Sequence, residues 1–361
     1  MGETHARASV LAEQLGRSDH LLVLLYGQWA YHCLRAEHRL ALSYAERLEK
    51  WGETRHDAIA LMLGHFAHAA TTLWLGNFVD ARAIFEQCRG MDDAGYRAAY
   101  EAATGSDQHL VMLAHFAVDL TLLGYLDQGR ALASRALSGA RRSGHVFSIA
   151  FMSNFEALAA LWSGSLDDAK QLAEEAVAVS TEHDFPQWLG LGLIVYGYSL
   201  TELGEPQAGL EALQKGLAIY QTTDAALTDP LIFTALAQTH RKLGQPTEAL
   251  NCLAEAEQNI ARADGDCTET EYHRVRGDVL VDCGDPGRAE ESYMKALSVA
   301  RRQGGKLWEL RAATSLARLW RDQGKRPEAY NLLSPVYGWF TEGFETPVSR
   351  EAKALLDTLM A

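Results

Sequence analysis

The sequence predicts an all-α, right-handed superhelical solenoid of about eight helix-turn-helix units, and three periodic features lead to this prediction. An anchor residue interrupts the helical pattern at steps of 40 residues, with a single step of 48. Small side chains recur five residues after every anchor and, in all units but the first, seven residues before it. Apolar residues between the anchors follow the 3.6-residue helical period. A fixed period of this length is typical of stacked helical hairpins. The anchors are Ala36, Gly76, Gly124, Gly164, Gly204, Gly244, Gly284 and Gly324.

Each unit is predicted to consist of a helix, a tight turn and a second helix. In the fourth unit the first helix is expected over 146–162, the turn over 163–165 and the second helix over 166–181. Proline follows several anchors by two residues, as in Pro206. Proline is tolerated there because the first helical turn leaves its N–H groups without intrahelical partners.

The two ends of the chain differ from the repeating units. Ala8 and Gly16 occupy the register of later second helices, so residues 1–17 are expected to be the second helix of a truncated repeat. Residues 18–345 then hold eight hairpins, and 346–361 form an amphipathic capping helix. The whole of 1–361 is expected to be one solenoid domain that descends from something longer.

Composition restricts the possible partners and surroundings. The formal net charge of −14 argues against nucleic-acid binding, which needs clustered basic residues. Without a signal peptide or a long apolar run, the sequence predicts a cytoplasmic protein with no membrane partner. The five cysteines form no C-x-x-C pair and are expected to be buried free thiols. No cofactor is predicted, and the oligomeric state is left open.

The repeat pattern resembles the tetratricopeptide repeat in a long form of about 40 residues. That family carries small residues at its eighth, twentieth and twenty-seventh positions. The corresponding residues here are Ala157, Ala169 and Ala176 in one unit and Gly277, Ala289 and Ala296 in another. The family's aromatic residue at position twenty-four corresponds to Phe85 and Tyr293.

Four segments, 122–128, 144–148, 308–326 and 335–344, carry a more specific resemblance. They are similar to the C-terminal repeat array of bacterial multidomain proteins that combine a class III adenylate/guanylate cyclase domain with an AAA-type ATPase module. Neither upstream module is present, and the Gly304-Gly305-Lys306 triplet lacks the rest of a phosphate-binding loop. The resemblance therefore implies a regulatory or scaffolding array, and it implies neither cyclase nor ATPase activity.

Residues with catalytic or metal-binding potential are few. His65 and His68 lie three residues apart on one predicted helix, with His115 in the next unit. A metal site would need further converging ligands, so packed or solvated histidines are expected. No catalytic signature is found, and the chain is predicted not to be an enzyme.

The inner, concave face is the predicted partner-binding groove. The first helices line it, with apolar side chains in early units and polar or cationic ones in late units. The late arginines are expected to hold acidic groups bidentately; the alternative is a solvated face with ion pairs to Glu271 or Asp278. The candidate residues are Tyr26, Phe66, Asn154, Tyr198, Thr234, Gln238, Arg241, Arg274, Asp278, Arg311, Thr314, Arg318 and Arg321.

The eight-residue excess between Gly76 and Gly124 falls around 91–110. It is expected to form a lid over the groove or, alternatively, a longer helix and connector.

Protein or peptide recognition is the function that these patterns favour. The chain is predicted to be a non-catalytic scaffold or sensor array that regulates a bacterial signalling partner, and an acidic protein or peptide is one option for that partner. The alternatives are a ligand- or peptide-sensing regulator, or a cyclase/ATPase remnant with residual nucleotide binding. Joint replacement of Arg311, Arg318 and Arg321 by alanine is expected to weaken binding without unfolding the chain.

Overall fold

The computed structural model describes residues 18–91, 95 and 97–360. Within these residues the regular structure is helical, without a strand. The helices are α1 (Ser18–Leu34), α2 (His38–Arg55), α3 (Ala58–Trp74), α4 (Phe78–Met91), α5 (Arg97–Thr104), α6 (Gln108–Leu122), α7 (Leu126–Ser143), α8 (Val146–Trp162), α9 (Leu166–Glu182), α10 (Pro186–Glu202), α11 (Pro206–Gln221), α12 (Asp229–Lys242), α13 (Pro246–Ala263), α14 (Glu269–Asp282), α15 (Pro286–Gln303), α16 (Lys306–Asp322), α17 (Arg326–Tyr337) and α18 (Pro347–Met360).

These helices pack as a row of hairpins, and the prediction of an all-α solenoid is confirmed. The pairs are α1/α2, α3/α4, α6/α7, α8/α9, α10/α11, α12/α13, α14/α15 and α16/α17. Successive first helices also pack on one another, as α8 does on α10. The predicted helices of the fourth unit agree with α8 and α9 to within one residue.

The anchors owe their periodicity to backbone conformation. All eight have a positive φ, from 57° at Ala36 to 96° at Gly204. Glycine adopts this left-handed conformation without a steric penalty, whereas an L-residue is strained there. Ala36 occupies the same turn conformation as the seven glycines, which explains how a non-glycine residue keeps the register.

The small residues on either side of the anchors allow the two helices of a hairpin to approach closely. In the fifth hairpin, a Cβ added to Gly197 of α10 would lie 2.7 Å from the carbonyl oxygen of Gly209 on α11. A Cβ added to Gly209 would lie 2.6 Å from the carbonyl oxygen of Gly197. The two backbones therefore contact each other directly at this crossing.

We expect Gly197→Ala to lower the free energy of unfolding by roughly 1–3 kcal/mol, because the new methyl group overpacks this crossing. Gly287 on α15 is the matched control, since the nearest atom to an added Cβ is 3.9 Å away. Gly287→Ala should be neutral or slightly stabilising. Urea unfolding followed by circular dichroism measures both variants, and equal stabilities would contradict the close approach.

The superhelix closes upon itself after just under five units. The carbonyl oxygen of Leu34 accepts hydrogen bonds from the backbone N–H groups of Ala226 (2.8 Å) and Leu227 (2.9 Å). The carbonyl oxygen of Trp74 likewise accepts from the N–H of Cys267 (3.0 Å). The second superhelical turn thus packs directly on the first and encloses the concave face.

The C-terminal segment continues this contact between turns. The Glu342 carboxylate accepts the N–H groups of Asp127 (3.0 Å) and Gln128 (3.1 Å) at the start of α7. The terminal helix begins at Pro347, beside Gly164. Its apolar side is buried against α16 and α17, as the amphipathic pattern predicts.

Two further predictions concern the N-terminal segment and the insertion between Gly76 and Gly124. The predicted second helix over 1–17, with Ala8 and Gly16, lies outside the described residues, as does Tyr96 in the insertion. The insertion adds a separate short helix, α5, instead of lengthening α4, which corrects the expectation of a longer helix.

The cysteines are free thiols within the described chain, but their burial differs from the prediction. Cys33, Cys88 and Cys267 are buried, Cys252 is partly buried and Cys283 is exposed. Cys283 follows the last residue of α14, directly before the turn at Gly284, where the chain reaches solvent. None of the described helices combines the length and apolar character needed to cross a membrane.

Candidate functional site

Two cavities lie on the concave face, among the first helices that the structure describes. The first, the polar cavity, has a volume of about 300 Å³ and is lined by α8, α10, α12, α14, α16 and the start of α18. The second, the aromatic cavity, has a volume of about 240 Å³ and is lined mainly by α1, α3, α6, α8 and α10. Both are formed by the first helices of the hairpins, on the face where the sequence predicts binding.

The two cavities lie along the same helices. On α10, Trp188 and Leu191 face the aromatic cavity, while Tyr198 and Glu202 face the polar cavity. On α8, Phe147, Phe151 and Phe155 face the aromatic cavity, and Trp162 faces the polar cavity. The interior therefore changes from apolar to charged along each helix.

A buried ion-pair cluster forms one wall of the polar cavity. The guanidinium of Arg274 donates to both carboxylate oxygens of Glu271 (2.9 and 2.6 Å) and to Asp278 (2.6 Å). Arg311, on the next first helix, donates to the same two Glu271 oxygens (3.2 and 2.8 Å). Its remaining nitrogen donates to the Trp162 carbonyl (3.2 Å), which belongs to the other superhelical turn.

Two charges determine the ionisation of Glu271. Burial alone would raise the pKa of this carboxyl, but Arg274 and Arg311 outweigh burial and lower its pKa to about 2. Glu271 is therefore an anion at neutral pH, held between two cations. The cluster links α14 to α16 and both to the end of α8.

A second set of polar contacts forms the opposite wall. Gln238 donates from Nε2 to Glu202 (2.9 Å) and accepts from Nε of Arg241 (3.0 Å). Arg241 also donates to Asp282 (2.8 Å), and Lys242 donates to Glu202 (3.1 Å). The side chains of this wall are thus fixed by one another.

Cations and carboxylates in the polar cavity nearly balance. The lining includes five cationic and four anionic side chains, namely Arg241, Lys242, Arg274, Arg311, Arg318, Glu202, Glu271, Asp278 and Glu351. Arg318 contacts Glu351 at the cavity edge. Burial, together with the neighbouring Arg274 and Arg321, lowers the pKa of Arg318, whereas Asp278 raises it.

The aromatic cavity is walled by rings that contact one another. The rings of Phe151 and Phe155 stack with their centroids 4.5 Å apart, and the ring of Trp188 packs edge-on against Phe151 with a centroid distance of 4.6 Å. His115 lies 4.5 Å from Phe155 and 5.2 Å from Phe66. The wall continues through Phe66 to Trp29 and Tyr26 on α1.

Hydrogen bonds hold the edge of the aromatic cavity. Tyr26 donates its hydroxyl to Oε1 of Gln108 (2.9 Å), whose amide nitrogen donates to Thr104 and Ser106 (both 2.9 Å). Trp29 donates its indole N–H to Thr71 (2.9 Å). Thr104 ends the inserted helix α5, so the insertion helps to form this cavity. Its role as a lid stays a prediction.

Eleven of the thirteen candidate residues line one of the two cavities. Tyr198, Thr234, Gln238, Arg241, Arg274, Asp278, Arg311, Thr314 and Arg318 line the polar cavity. Tyr26 and Phe66 line the aromatic cavity. Asn154 is fully buried beside it and donates to the Trp188 carbonyl (3.2 Å). Arg321 points to solvent and pairs with the adjacent Asp322.

The expectation that the late arginines form one accessible stripe is corrected. Arg274 is buried and Arg311 is only partly accessible, because they lie where their turn of the superhelix packs on the first turn, at Trp162. Replacing Arg311 would therefore disturb the fold, contrary to the prediction that the triple alanine variant leaves it intact. The alternative of ion pairs to Glu271 and Asp278 describes the structure, although those pairs are buried and not solvated.

Sequence reasoning missed most of the aromatic cavity. Phe147, Phe151 and Phe155 follow one another at four-residue steps on α8, a signal that the sequence does contain. Trp188 and His115 come from other units, and no local pattern connects them.

The histidines predicted as packed or solvated do not converge. His65 and His68 both contact Glu49 through Nδ1 (2.9 and 3.2 Å), whereas His115 lies in the aromatic cavity. In the part of the chain that the structure describes, no group of His, Cys, Asp and Glu side chains is arranged to hold a metal ion.

Comparison with known proteins supports the architecture. Residues 275–303 match the tetratricopeptide repeat family model. A Rap protein complexed with competence and sporulation factor is similar in structure at 12% identity and a TM-score of 0.59, with 95% of this chain and 97% of that chain covered. The Rap conjugation gene regulator of plasmid pLS20, in complex with the Phr* peptide, is similar in structure at 9% identity and a TM-score of 0.58. The match covers 94% of this chain and 96% of that chain.

Aspartyl phosphate phosphatase F from Bacillus subtilis is a further structural neighbour, with 10% identity, a TM-score of 0.51 and coverage of 91% and 95%. A search of curated protein sequences finds no significant match. Identities this low establish the fold alone. The chain is thus a helical array of tetratricopeptide-repeat-like hairpins.

Proposed function

We propose that the chain is a non-catalytic receptor for a short peptide or peptide segment, bound inside the superhelix, through which it regulates a signalling partner. The observation that carries this proposal is the pair of cavities, one aromatic and one charged, along the same first helices. Ligand sites combine apolar walls with a few fixed polar groups in this way. The related Rap proteins solved with competence and sporulation factor and with the Phr* peptide support a peptide as the ligand.

The spacing of the cavities suits a short extended chain. Trp188 and Tyr198 are ten residues apart on α10, which corresponds to about 15 Å along the helix axis. An extended peptide advances about 3.3 Å per residue, so roughly four or five residues span this distance. A ligand with an apolar side chain at one end and a polar or charged group at the other would fill both cavities.

An acidic group on the ligand would bind at Arg318. Arg274 and Arg311 already donate to Glu271, so an incoming carboxylate would have to displace it. Arg318 has a side chain that is 40% exposed, and its partner Glu351 is 53% exposed, so an incoming carboxylate can replace Glu351 more easily than the buried Glu271. This narrows the predicted acidic-group site from a stripe of arginines to one guanidinium at the cavity edge.

A peptide library tests the proposal. Selection of random displayed peptides on the purified chain should enrich sequences that pair an apolar residue with an acidic one four or five residues away. Arg318→Ala should weaken the best acidic peptide by about tenfold, because a hydrogen bond to a charged group is lost. Arg350→Ala, on the solvent-facing side of α18, is the matched control and should bind normally. Failure to enrich any peptide, or equal binding by the Arg318 variant, would contradict this site.

Residual nucleotide binding, as the cyclase–ATPase resemblance suggests, is the second candidate function. The cations of the polar cavity are already paired with carboxylates, so a multiply charged phosphate group would have to displace several of these partners at once. Calorimetric titration with ATP, GTP and cyclic nucleotides is therefore expected to give no heat of binding. A micromolar dissociation constant would favour the nucleotide-binding alternative.

A further inference from the structure

The aromatic cavity has a chemical character that narrows its ligand. None of the described residues that line it is an aspartate, glutamate, lysine or arginine. A charged group placed there would lose its hydration without gaining a counter-ion, which is strongly unfavourable. The cavity is therefore suited to a neutral group.

Its size and surface favour a planar ring. A 150 Å³ apolar cavity holds benzene, so a volume of about 240 Å³ accommodates roughly ten non-hydrogen atoms, the size of a fused bicyclic ring. Phe151 and Phe155 present stacked faces, and Trp188 presents an edge at an interplanar angle of 65° to Phe151. Aromatic groups pack favourably in both arrangements.

One polar atom in the wall is oriented by the protein and left without a protein partner. His115 is buried, and its Nδ1 lies 2.9 Å from the Val111 carbonyl oxygen. Because a carbonyl can only accept, Nδ1 carries the proton and Nε2 of the neutral ring presents a lone pair. Burial lowers the pKa of His115 to about 4, so the ring is neutral at pH 7. Among the described residues no group donates to Nε2.

We infer that the aromatic cavity binds a neutral aromatic ring carrying an N–H or O–H donor, which stacks on the phenylalanines and donates to Nε2 of His115. Indole and phenol groups have this chemistry. The source is a tryptophan or tyrosine side chain of the bound peptide or a free small aromatic molecule. A peptide side chain as the source rests on the proposed function, whereas a free small molecule does not.

Indole and 1-methylindole are the probes that test this inference, because they differ by the single donor. Calorimetry should show that indole binds and that 1-methylindole binds at least about fivefold more weakly, since it leaves Nε2 unpaired. His115→Phe keeps an aromatic ring but has no acceptor, so this variant should bind the two probes equally. Equal affinities for the native chain, or no indole binding at millimolar concentration, would overturn the inference.

A cavity-filling variant locates the bound probe. Ala30 lines the aromatic cavity, and Ala30→Phe should abolish binding of both probes by occupying its volume. Ala131→Phe, at an exposed position of α7, is the matched control and should bind like the native chain. Circular dichroism melting of all variants verifies folding. Undiminished indole binding by a folded Ala30→Phe variant would place the probe elsewhere and overturn the inference.

The same probes separate this inference from the proposed function. If a selected peptide competes with indole and loses affinity when its aromatic residue is replaced by alanine, the side chain is the source. If indole binds and no peptide does, the cavity is a small-molecule site and the proposed function fails. Peptide binding that neither indole nor Ala30→Phe affects would leave the function standing and overturn the inference.

Discussion

Replacing Glu271 by glutamine is expected to lower the free energy of unfolding by roughly 3–5 kcal/mol, the cost of leaving buried charges without their partner. The side chain of Glu271 is 5% exposed and that of Arg274 is 9% exposed, so water cannot compensate the lost carboxylate. Glutamine has nearly the same shape, and the loss therefore reports charge more than packing. Urea unfolding at pH 7, followed by circular dichroism, measures the difference.

Arg321→Ala is the control for this substitution. Arg321 is partly exposed and pairs only with the neighbouring, exposed Asp322 among the described residues, so its loss should change stability by less than about 0.5 kcal/mol. If the two variants were equally stable, the buried ion-pair cluster would contribute nothing to stability, which would contradict its burial between the two superhelical turns.

The stabilisation by Glu271 should also depend on pH. The folded chain holds the pKa of Glu271 at about 2, below the ordinary value of 4.5. For a carboxyl with a lowered pKa, the stabilisation is complete above the unfolded-state pKa and is lost as the pH falls towards the folded-state pKa. The difference between the native chain and Glu271→Gln should therefore be constant above about pH 5 and shrink between pH 4.5 and 2. A difference that grew on acidification would contradict the ion-pair assignment.

The hairpins were predictable because their determinants are local. The backbone conformation at each anchor favours glycine, and the crossing between paired helices requires small residues, as Gly197 and Gly209 show. Both requirements appear in the sequence at fixed spacing. The late first helices place Arg241, Arg274 and Arg311 around the polar cavity, and their role in binding a partner stays a prediction.

Closure of the superhelix was not predictable from the same pattern. The Leu34 carbonyl and the Ala226 N–H are 192 residues apart, and backbone groups leave no mark on the residue types that form such a bond. The small rotation between successive units decides whether distant units meet, and this rotation accumulates over the whole array. Closure in turn buries the arginines and encloses the aromatic cavity, so both features went unrecognised in the sequence.

Trp308→Ala is expected to lower the free energy of unfolding by about 3–5 kcal/mol, because Trp308 lies at the contact between the two superhelical turns. Its side chain is fully buried, and its ring lies 5.4 Å from that of Trp162 on the other turn. Its indole N–H donates to the Cys267 carbonyl (2.8 Å), whose own N–H donates to Trp74. The substitution therefore leaves a cavity and an unpaired carbonyl at this contact.

Two further variants separate the contributions of Trp308. Trp308→Phe keeps most of the ring packing but removes the N–H donor, and it should cost about 1–3 kcal/mol. Trp339→Phe, at a side chain that is 38% exposed, should be nearly neutral. Small-angle X-ray scattering adds a readout of shape: if the turns separate, the radius of gyration of folded Trp308→Ala should exceed that of the native chain. Native stability and dimensions in Trp308→Ala would show that the contact between the turns does not hold the superhelix closed.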